Sequence, residues 1–391
     1  MTLGPSPDAA TPLPRDLFDV TERYTYLNHA AVGALARPTR DALHGFVDAQ
    51  AGGGVMGVFS YEAKMPEYRS RIARFIGAQP GTIAVLRNTG DGANAVAGGY
   101  PWQAGDELIL PDNEFPANAQ PWLPLRKRGV NIHFIESASE RLTPDVLRKR
   151  VTPRTKIVAV SWVSFEDGYR HDLAALAQIA HAHGALLCVD AIQGLGAFPI
   201  DVGALGIDAL YCGGAKWMLA LQGVSFLYVN PALLDRLELA APGWRSVEDM
   251  WDFLTYDQPL ASDASRFEGG TPNFIGALSL AESIGVLEKA GTGRIASHVL
   301  SLTDRLCERL SDAGAEIATI RSASESSGIV TFRMPGVDSV ELGRALQREG
   351  IVTTYRANGV RVAPHGYNTA AEIDALVDVV DGYRKERVCS R

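Results

Sequence analysis

The sequence predicts an α/β fold: a large domain with a mostly parallel mixed sheet between helices, then a smaller α+β C-terminal domain. Three observations predict it. At 391 residues the chain is too long for one hydrophobic core. From about Pro66 onward, short apolar runs alternate with longer amphipathic stretches, the pattern of right-handed βαβ crossovers. Composition then changes near 259–265, after the aromatic stretch Trp244–Tyr256.

Taken in order, residues 1–14 are Pro-rich and lack a basic segment followed by an apolar one. They are expected to form a flexible arm, not a signal peptide. The large domain is expected over 15–260. Its strand candidates are Thr82–Leu86, Glu107–Leu110, Asn131–Ile135, Lys156–Ser161, Leu186–Asp190, Ala209–Cys212 and Ser225–Val229. Most are continuously apolar, as strands covered on both faces must be. Between two of them, Leu173, Leu176, Ile179 and Ala180 repeat at helical spacing within Asp172–His183. The small domain is expected over 261–391, with helical patterns at Ile275–Ala290, at Ile295–Ala313 and from Ala370. Its strands are expected at Gly328–Arg333 and Val360–Ala363, in a largely antiparallel sheet.

The totals exclude several classes. A hydrophobic share of 46% with 21% charged residues allows a sizeable core. A net charge of −8 argues against nucleic acid or an anionic membrane as the main partner. It leaves room for a small anionic ligand held by a few local cations. No uncharged apolar stretch approaches the roughly 20 residues that span a membrane. The four cysteines, Cys188, Cys212, Cys307 and Cys389, form no C-x-x-C pair. Neither a disulfide framework nor a metal site is expected, and a cytoplasmic location fits best.

A parallel sheet opens on its ligand at the carboxyl ends of its strands, so the candidates sit just after the apolar runs. Lys216 follows an apolar strand and a glycine pair in Tyr211-Cys-Gly-Gly-Ala-Lys. Desolvation there lowers the amine's pKa and makes it nucleophilic toward an aldehyde. Asp190 ends the run Leu186–Asp190. A carboxylate at that place can keep a pyridine nitrogen protonated, so that the ring works as an electron sink. Gln193, three residues on, can donate to a phenolic oxygen. Thr89 and Gly90 lie in a glycine-containing turn before a helix-compatible segment, where exposed N–H groups suit a phosphate. Arg361 has the planar fork that grips a carboxylate. Each residue has an ordinary alternative when taken alone: a surface lysine, a helix cap, a strand-to-helix turn, an edge-strand ion pair. Together they fit pyridoxal 5′-phosphate (PLP).

Four ordered motifs carry a resemblance over nearly the whole chain. They are Val189-Asp-Ala-Ile-Gln-Gly, Gly214-Ala-Lys-Trp, Arg266-Phe-Glu-Gly-Gly-Thr-Pro and Arg361-Val-Ala-Pro-His-Gly-Tyr-Asn-Thr. The sequence resembles the fold-type I PLP enzymes of the class V aminotransferase group, which includes cysteine desulfurases, kynureninase and isopenicillin N epimerase-like proteins. The resemblance implies that Lys216 forms the Schiff base and Asp190 partners the pyridine nitrogen. It implies that Gln193 donates to the phenolic oxygen and that Thr89 and Gly90 cradle the phosphate. Phe115 matches the ring that stacks on the cofactor. Thr271 matches a residue that reaches the phosphate of the neighbouring subunit, so a homodimer with shared active sites is implied. Asn28 and His29 would lie near the substrate, whose carboxylate Arg361 would bind.

Departures from the family narrow the expectation. The stretch Gln347–Gly359 has no cysteine where desulfurases carry their nucleophile, so persulfide formation lacks an acceptor. Phe115 and Ala215 stand where desulfurases usually have histidines, and Phe165 replaces an asparagine. Glu166, Asp167 and Arg170 follow Phe165 and are read as a solvated turn or as substrate contacts. The expected activity is that of a PLP enzyme acting on a small α-amino acid through a Cα carbanion, either an aminotransferase or a β-eliminating C–S lyase. An epimerase ranks lower, since no second base is recognisable. A non-catalytic PLP-binding protein and a nucleotide-binding dehydrogenase are the rivals from other classes. The first lacks a helix-turn-helix or basic regulatory domain, the second a G-x-G-x-x-G fingerprint.

Overall fold

The structure is a computed structural model that describes residues 11–389 apart from 138 and 357, with side chains as far as 385. Most of the expected arm, and the Cys389 side chain, lie outside these limits. Leu13, at the arm's inner end, is fully buried and its N–H donates to Gly366 O at 3.1 Å.

Seven strands form the main sheet: β1 (Ile83–Leu86), β2 (Glu107–Pro111), β3 (Asn131–Ile135), β4 (Thr155–Ser161), β5 (Leu186–Asp190), β6 (Ala209–Gly213) and β7 (Ser225–Val229). Their order is β1-β7-β6-β5-β4-β2-β3. All neighbours pair in parallel except β7, which is antiparallel to both β1 and β6. The exception has a local cause. The connection 214–224 between β6 and β7 is shorter than the dozen or more residues that a parallel crossover needs, so the chain must turn back. That turn carries Lys216.

Four antiparallel strands form the second sheet: β8 (Glu316–Ile317), β9 (Val330–Arg333), β10 (Thr354–Arg356) and β11 (Gly359–Val362), in the order β10-β11-β9-β8. An additional short parallel pair joins Thr25–Tyr26 to Ile351–Val352.

The apolar clusters draw on segments that are far apart in sequence. Leu27 belongs to the apolar cluster of the second sheet, with Leu302, Leu306, Phe332 and Val377. Residues Phe274 to Val299 belong instead to the core of the large sheet. The helix Phe274–Ala290 explains this: it is apolar almost all round and packs on the helices Arg37–Gly53 and Met65–Phe75. The composition change near 260 marks an exposed aromatic segment, with Trp251, Phe253, Leu254 and Tyr256 largely in solvent. Among the described residues, no helix is long and apolar enough to cross a membrane.

Candidate active site

The Lys216 loop is held from both sides by close backbone approach. Gly33 donates its N–H to Ala215 O at 2.7 Å, and a Cβ built there would lie 2.2 Å from Lys216 O. Gly196, at φ +101°, would put a Cβ 2.2 Å from Trp217 O. Only glycine fits either place. Inside the loop, Leu219 N–H donates to Lys216 O at 3.0 Å and Ala220 N–H to Gly214 O at 2.9 Å. Leu219 takes φ +57° to close this turn, at a cost of about 1–2 kcal/mol for a residue with a Cβ. Such strain persists where the surrounding structure enforces it. Trp217, next in the chain, is fully buried.

The lysine points back across the ends of the strands. Its Nζ lies 5.4 Å from the centroid of the Phe115 ring. Burial brings its pKa down from 10.5 to about 8; Asp190 opposes that fall and Arg361 adds to it. The amine is therefore far more available as a nucleophile near neutral pH than an ordinary lysine. Asp190 is 1% exposed at the end of β5. Its Oδ1 accepts from Ile192 N–H at 2.9 Å, and its Oδ2 is buried with no partner among the described residues. Burial raises its pKa to about 6 against the pull of the Ile192 N–H and Lys216. A buried carboxylate oxygen without a donor costs free energy until one arrives. A protonated pyridine nitrogen is such a donor.

Thr89 and Gly90 open the eleven-residue helix Thr89–Gly99, which Asn88 caps by accepting from Asp91 N–H at 3.0 Å. Thr89 Oγ1 packs against Gly213, the last residue of β6. The helix N-terminus, the end of β6 and Lys216 are thus contiguous, and the N–H groups of Thr89 and Gly90 lie where an anion is favoured.

Arg361 projects from β11 into a hollow of ≈ 310 Å³, shared with Arg356, Glu114, Phe165, Glu166 and Thr354. Its Nη1 donates to Phe165 O at 2.7 Å, while its Nε is buried without a partner among the described residues. Burial, with Arg356 nearby, lowers its pKa to about 10, still fully charged at neutral pH. Asn28 lies beside this strand, its Oδ1 accepting from Thr354 Oγ1 at 2.7 Å.

The other sequence candidates are placed less directly. His29 is fully buried, and both ring nitrogens are spent on the protein. Nδ1–H donates to Ala363 O and Nε2 accepts from Tyr367 O–H, each at 2.8 Å. Burial holds its pKa well below 6.5, so it is a neutral strut between the N-terminal segment and the second sheet. Gln193 accepts from the Trp217 indole at 3.0 Å and donates to Ala30 O at 3.0 Å. It braces the Lys216 loop, with one amide hydrogen left over. Thr271 is exposed in a separate hollow of ≈ 840 Å³ with Asp91 and Asn94, on the flank of the helix Thr89–Gly99. Phe115 is 40% exposed and meets Phe165 edge-on at 5.3 Å. Of the turn after Phe165, Asp167 pairs with Arg141 and Arg170 donates to Ser326 O. Glu166 alone faces the hollow, held by Asn358 at 3.1 Å.

Glu114 belongs to none of the sequence candidates. It lines the same hollow, and burial raises its pKa to about 7. Its one sequence signal is that it follows strand β2, much as Asp190 ends β5.

The class V aminotransferase model matches residues 25–376, and the chain belongs to that family. It is 29% identical to an uncharacterized aminotransferase, YcbU, of Bacillus subtilis, over 94% of this chain and 96% of the relative. Its structure superposes on the apo cysteine desulfurase of Thermococcus onnurineus with a TM-score of 0.87 at 27% identity, covering 96% and 98% of the two chains. The fold alone is shared with a mutant of C-DES that carries glycine covalently linked to its PLP cofactor, at a TM-score of 0.86 and 21% identity over 94% and 98% of the chains. The chain is a PLP-dependent enzyme of fold type I.

Proposed function

We propose that this enzyme takes a small α-amino acid, removes its Cα proton at Lys216, and completes either a transamination or a β-elimination at a C–S bond. The observation that carries the reading is the convergence of Lys216, the orphaned Oδ2 of Asp190 and the unpartnered Nε of Arg361 at one end of the sheet. Lys216, Asp190, Thr89 and Gly90 would hold PLP, with Phe115 near Lys216 as a further contact. Once bound, PLP supplies the electron sink that makes the Cα proton removable. Arg361 offers its fork to the substrate carboxylate and fixes Cα relative to Lys216. Lys216 Nζ, with a pKa near 8, accepts the proton and can return it. Asp190 stays ionised above pH 6 and holds positive charge on the group opposite it.

A desulfurase mechanism lacks its nucleophile among the described residues. Cys188, Cys212 and Cys307 are all buried, and burial pushes each thiol pKa up. These free thiols favour a reducing, cytoplasmic setting. The reaction type is tested by incubating the PLP-loaded enzyme with sulfur, aromatic and acidic amino acids, with and without an α-keto acid. Pyruvate and ammonia released without acceptor establish elimination. Acceptor dependence establishes transamination. Turnover in neither form contradicts the proposal.

We also propose that the enzyme works as a homodimer with shared sites. The exposure of Thr271 beside the phosphate helix supports this, as does the exposed cluster of Trp244, Trp251 and Phe253. Mixing inactive Lys216→Ala chains with Thr271→Asp chains then restores one intact site per hybrid dimer. No regain of activity on mixing contradicts shared sites.

A further inference from the structure

Glu114 is half-buried, and its carboxyl group has a complete set of donors. Its Oε1 accepts from Ser161 N–H at 2.6 Å; its Oε2 accepts from Ser161 Oγ–H and from Asn118 Nδ2 at 2.9 Å. Asn118 passes the contact on, its Oδ1 accepting from Tyr211 O–H. Ser161 is the last residue of β4 and Tyr211 lies in β6. Between them Asp190, at the end of β5, is in register with both. The network therefore runs from the end of β4 to the middle of β6, passing the end of β5 that carries Asp190.

Phe115 needs this support. The ring is 40% exposed and its one ring–ring contact among the described residues is the Phe165 edge, so packing alone does not fix it. Its backbone is fixed instead. Glu114 anchors one side, and on the other Asn118 donates its N–H to Phe115 O at 2.8 Å. Both anchors belong to the Glu114 network, and the ring they set lies 5.4 Å from Lys216 Nζ.

We propose that Glu114 is a positioning residue of the cofactor site: it clamps the loop carrying Phe115 to Ser161 at the end of β4 and, through Asn118, to Tyr211 in β6. The proposal rests on the PLP reading of the site. Desolvating a carboxyl group is costly, and an apolar side chain would fill the space without ordering the loop. Placement of the Phe115 ring is what the carboxylate supplies.

Two variants separate the clamp from general stability. Glu114→Ala leaves Ser161 N–H, Ser161 Oγ–H and Asn118 Nδ2 without their acceptor. Glu114→Gln keeps an oxygen for Ser161 N–H and an amide that can donate to Ser161 Oγ, and gives up only the Asn118 Nδ2 contact. In the PLP-free chain, Glu114→Ala should accelerate amide hydrogen exchange over 112–120, while Glu114→Gln should not. PLP affinity, followed by quenching of tryptophan fluorescence, should fall about ten- to hundredfold in Glu114→Ala and stay within about threefold in Glu114→Gln. In a Phe115→Ala background, Glu114→Ala should add little, because the effect runs through the ring. Unchanged exchange in Glu114→Ala overturns the clamp. Fully additive losses in the double variant overturn the route through Phe115. A wild-type chain that binds PLP no better than Glu114→Ala overturns the positioning role alone. A wild-type chain that takes up no PLP overturns the reading of the site, and this role with it.

Discussion

Replacing Asp190 by asparagine keeps the shape at the end of β5 and removes one charge, with two effects of opposite sign. The amide oxygen of the new side chain can still accept from Ile192 N–H, as Asp190 Oδ1 does at 2.9 Å. Lys216 loses the carboxylate that opposes its desolvation. Its pKa, already near 8, should fall by about one further unit. At pH 7 the neutral fraction of the amine then rises from about a tenth to about a half, so PLP capture by the empty site speeds up roughly fivefold. Turnover moves the other way. With no carboxylate to hold positive charge on the ring nitrogen, kcat should drop by about 10²–10³-fold, the usual cost of removing one preorganised electrostatic partner. Stopped-flow measurement of PLP uptake against pH reads the first effect. The wild-type profile should rise through pH 8 and carry a second inflection near pH 6, where Asp190 titrates; the variant should lose the lower inflection. A Lys216 inflection that stays or moves upward refutes the facing of the two charges. A kcat within about tenfold of wild type refutes the role of Asp190.

Three further outcomes follow from named contacts. Arg361→Ala should raise KM about a hundredfold with a smaller change in kcat, and Arg361→Lys should not restore it, because an ammonium lacks the fork; unchanged KM across carboxylate substrates contradicts the assignment. Cys212→Ser should leave kcat within about twofold, since the thiol is buried and protonated; loss of activity with an intact fold would point to thiol chemistry. Gly33→Ala forces a Cβ to within 2.2 Å of Lys216 O, so it should cost about 1–3 kcal/mol in denaturant unfolding and weaken PLP binding; wild-type stability would show that the loop yields freely.

The strand ends were the legible part of the site. Asp190 and Lys216 stand directly after apolar runs, and sheet geometry alone places such residues at the ligand-facing edge. The seven strand candidates match the seven strands, six of them because strands covered on both faces need nearly continuous apolar sequence; β3, at the sheet edge, is exposed along most of its length. Other features depend on tertiary neighbours that no local pattern records. His29 has a histidine's chemistry, but Ala363 and Tyr367, over three hundred residues away in sequence, occupy both nitrogens. Gln193 is similar: its partners Trp217 and Ala30 come from separate segments. Glu114 is not legible in the sequence, because one acidic residue after a strand resembles many others until Ser161, Asn118 and Tyr211 are brought round it. Composition does not record which apolar cluster a helix feeds. The helix Thr292–Asp312 carries Ile295 and Val299 into one core and Leu302 and Leu306 into the other.

Reductive trapping bears most directly on the central claim. The PLP-loaded chain is treated with borohydride, digested, and the phosphopyridoxyl peptide identified by mass spectrometry. The account predicts one stoichiometric adduct, on Lys216, and none at that peptide in Lys216→Ala. An adduct spread over surface lysines, or a stoichiometric adduct elsewhere in the chain, contradicts it.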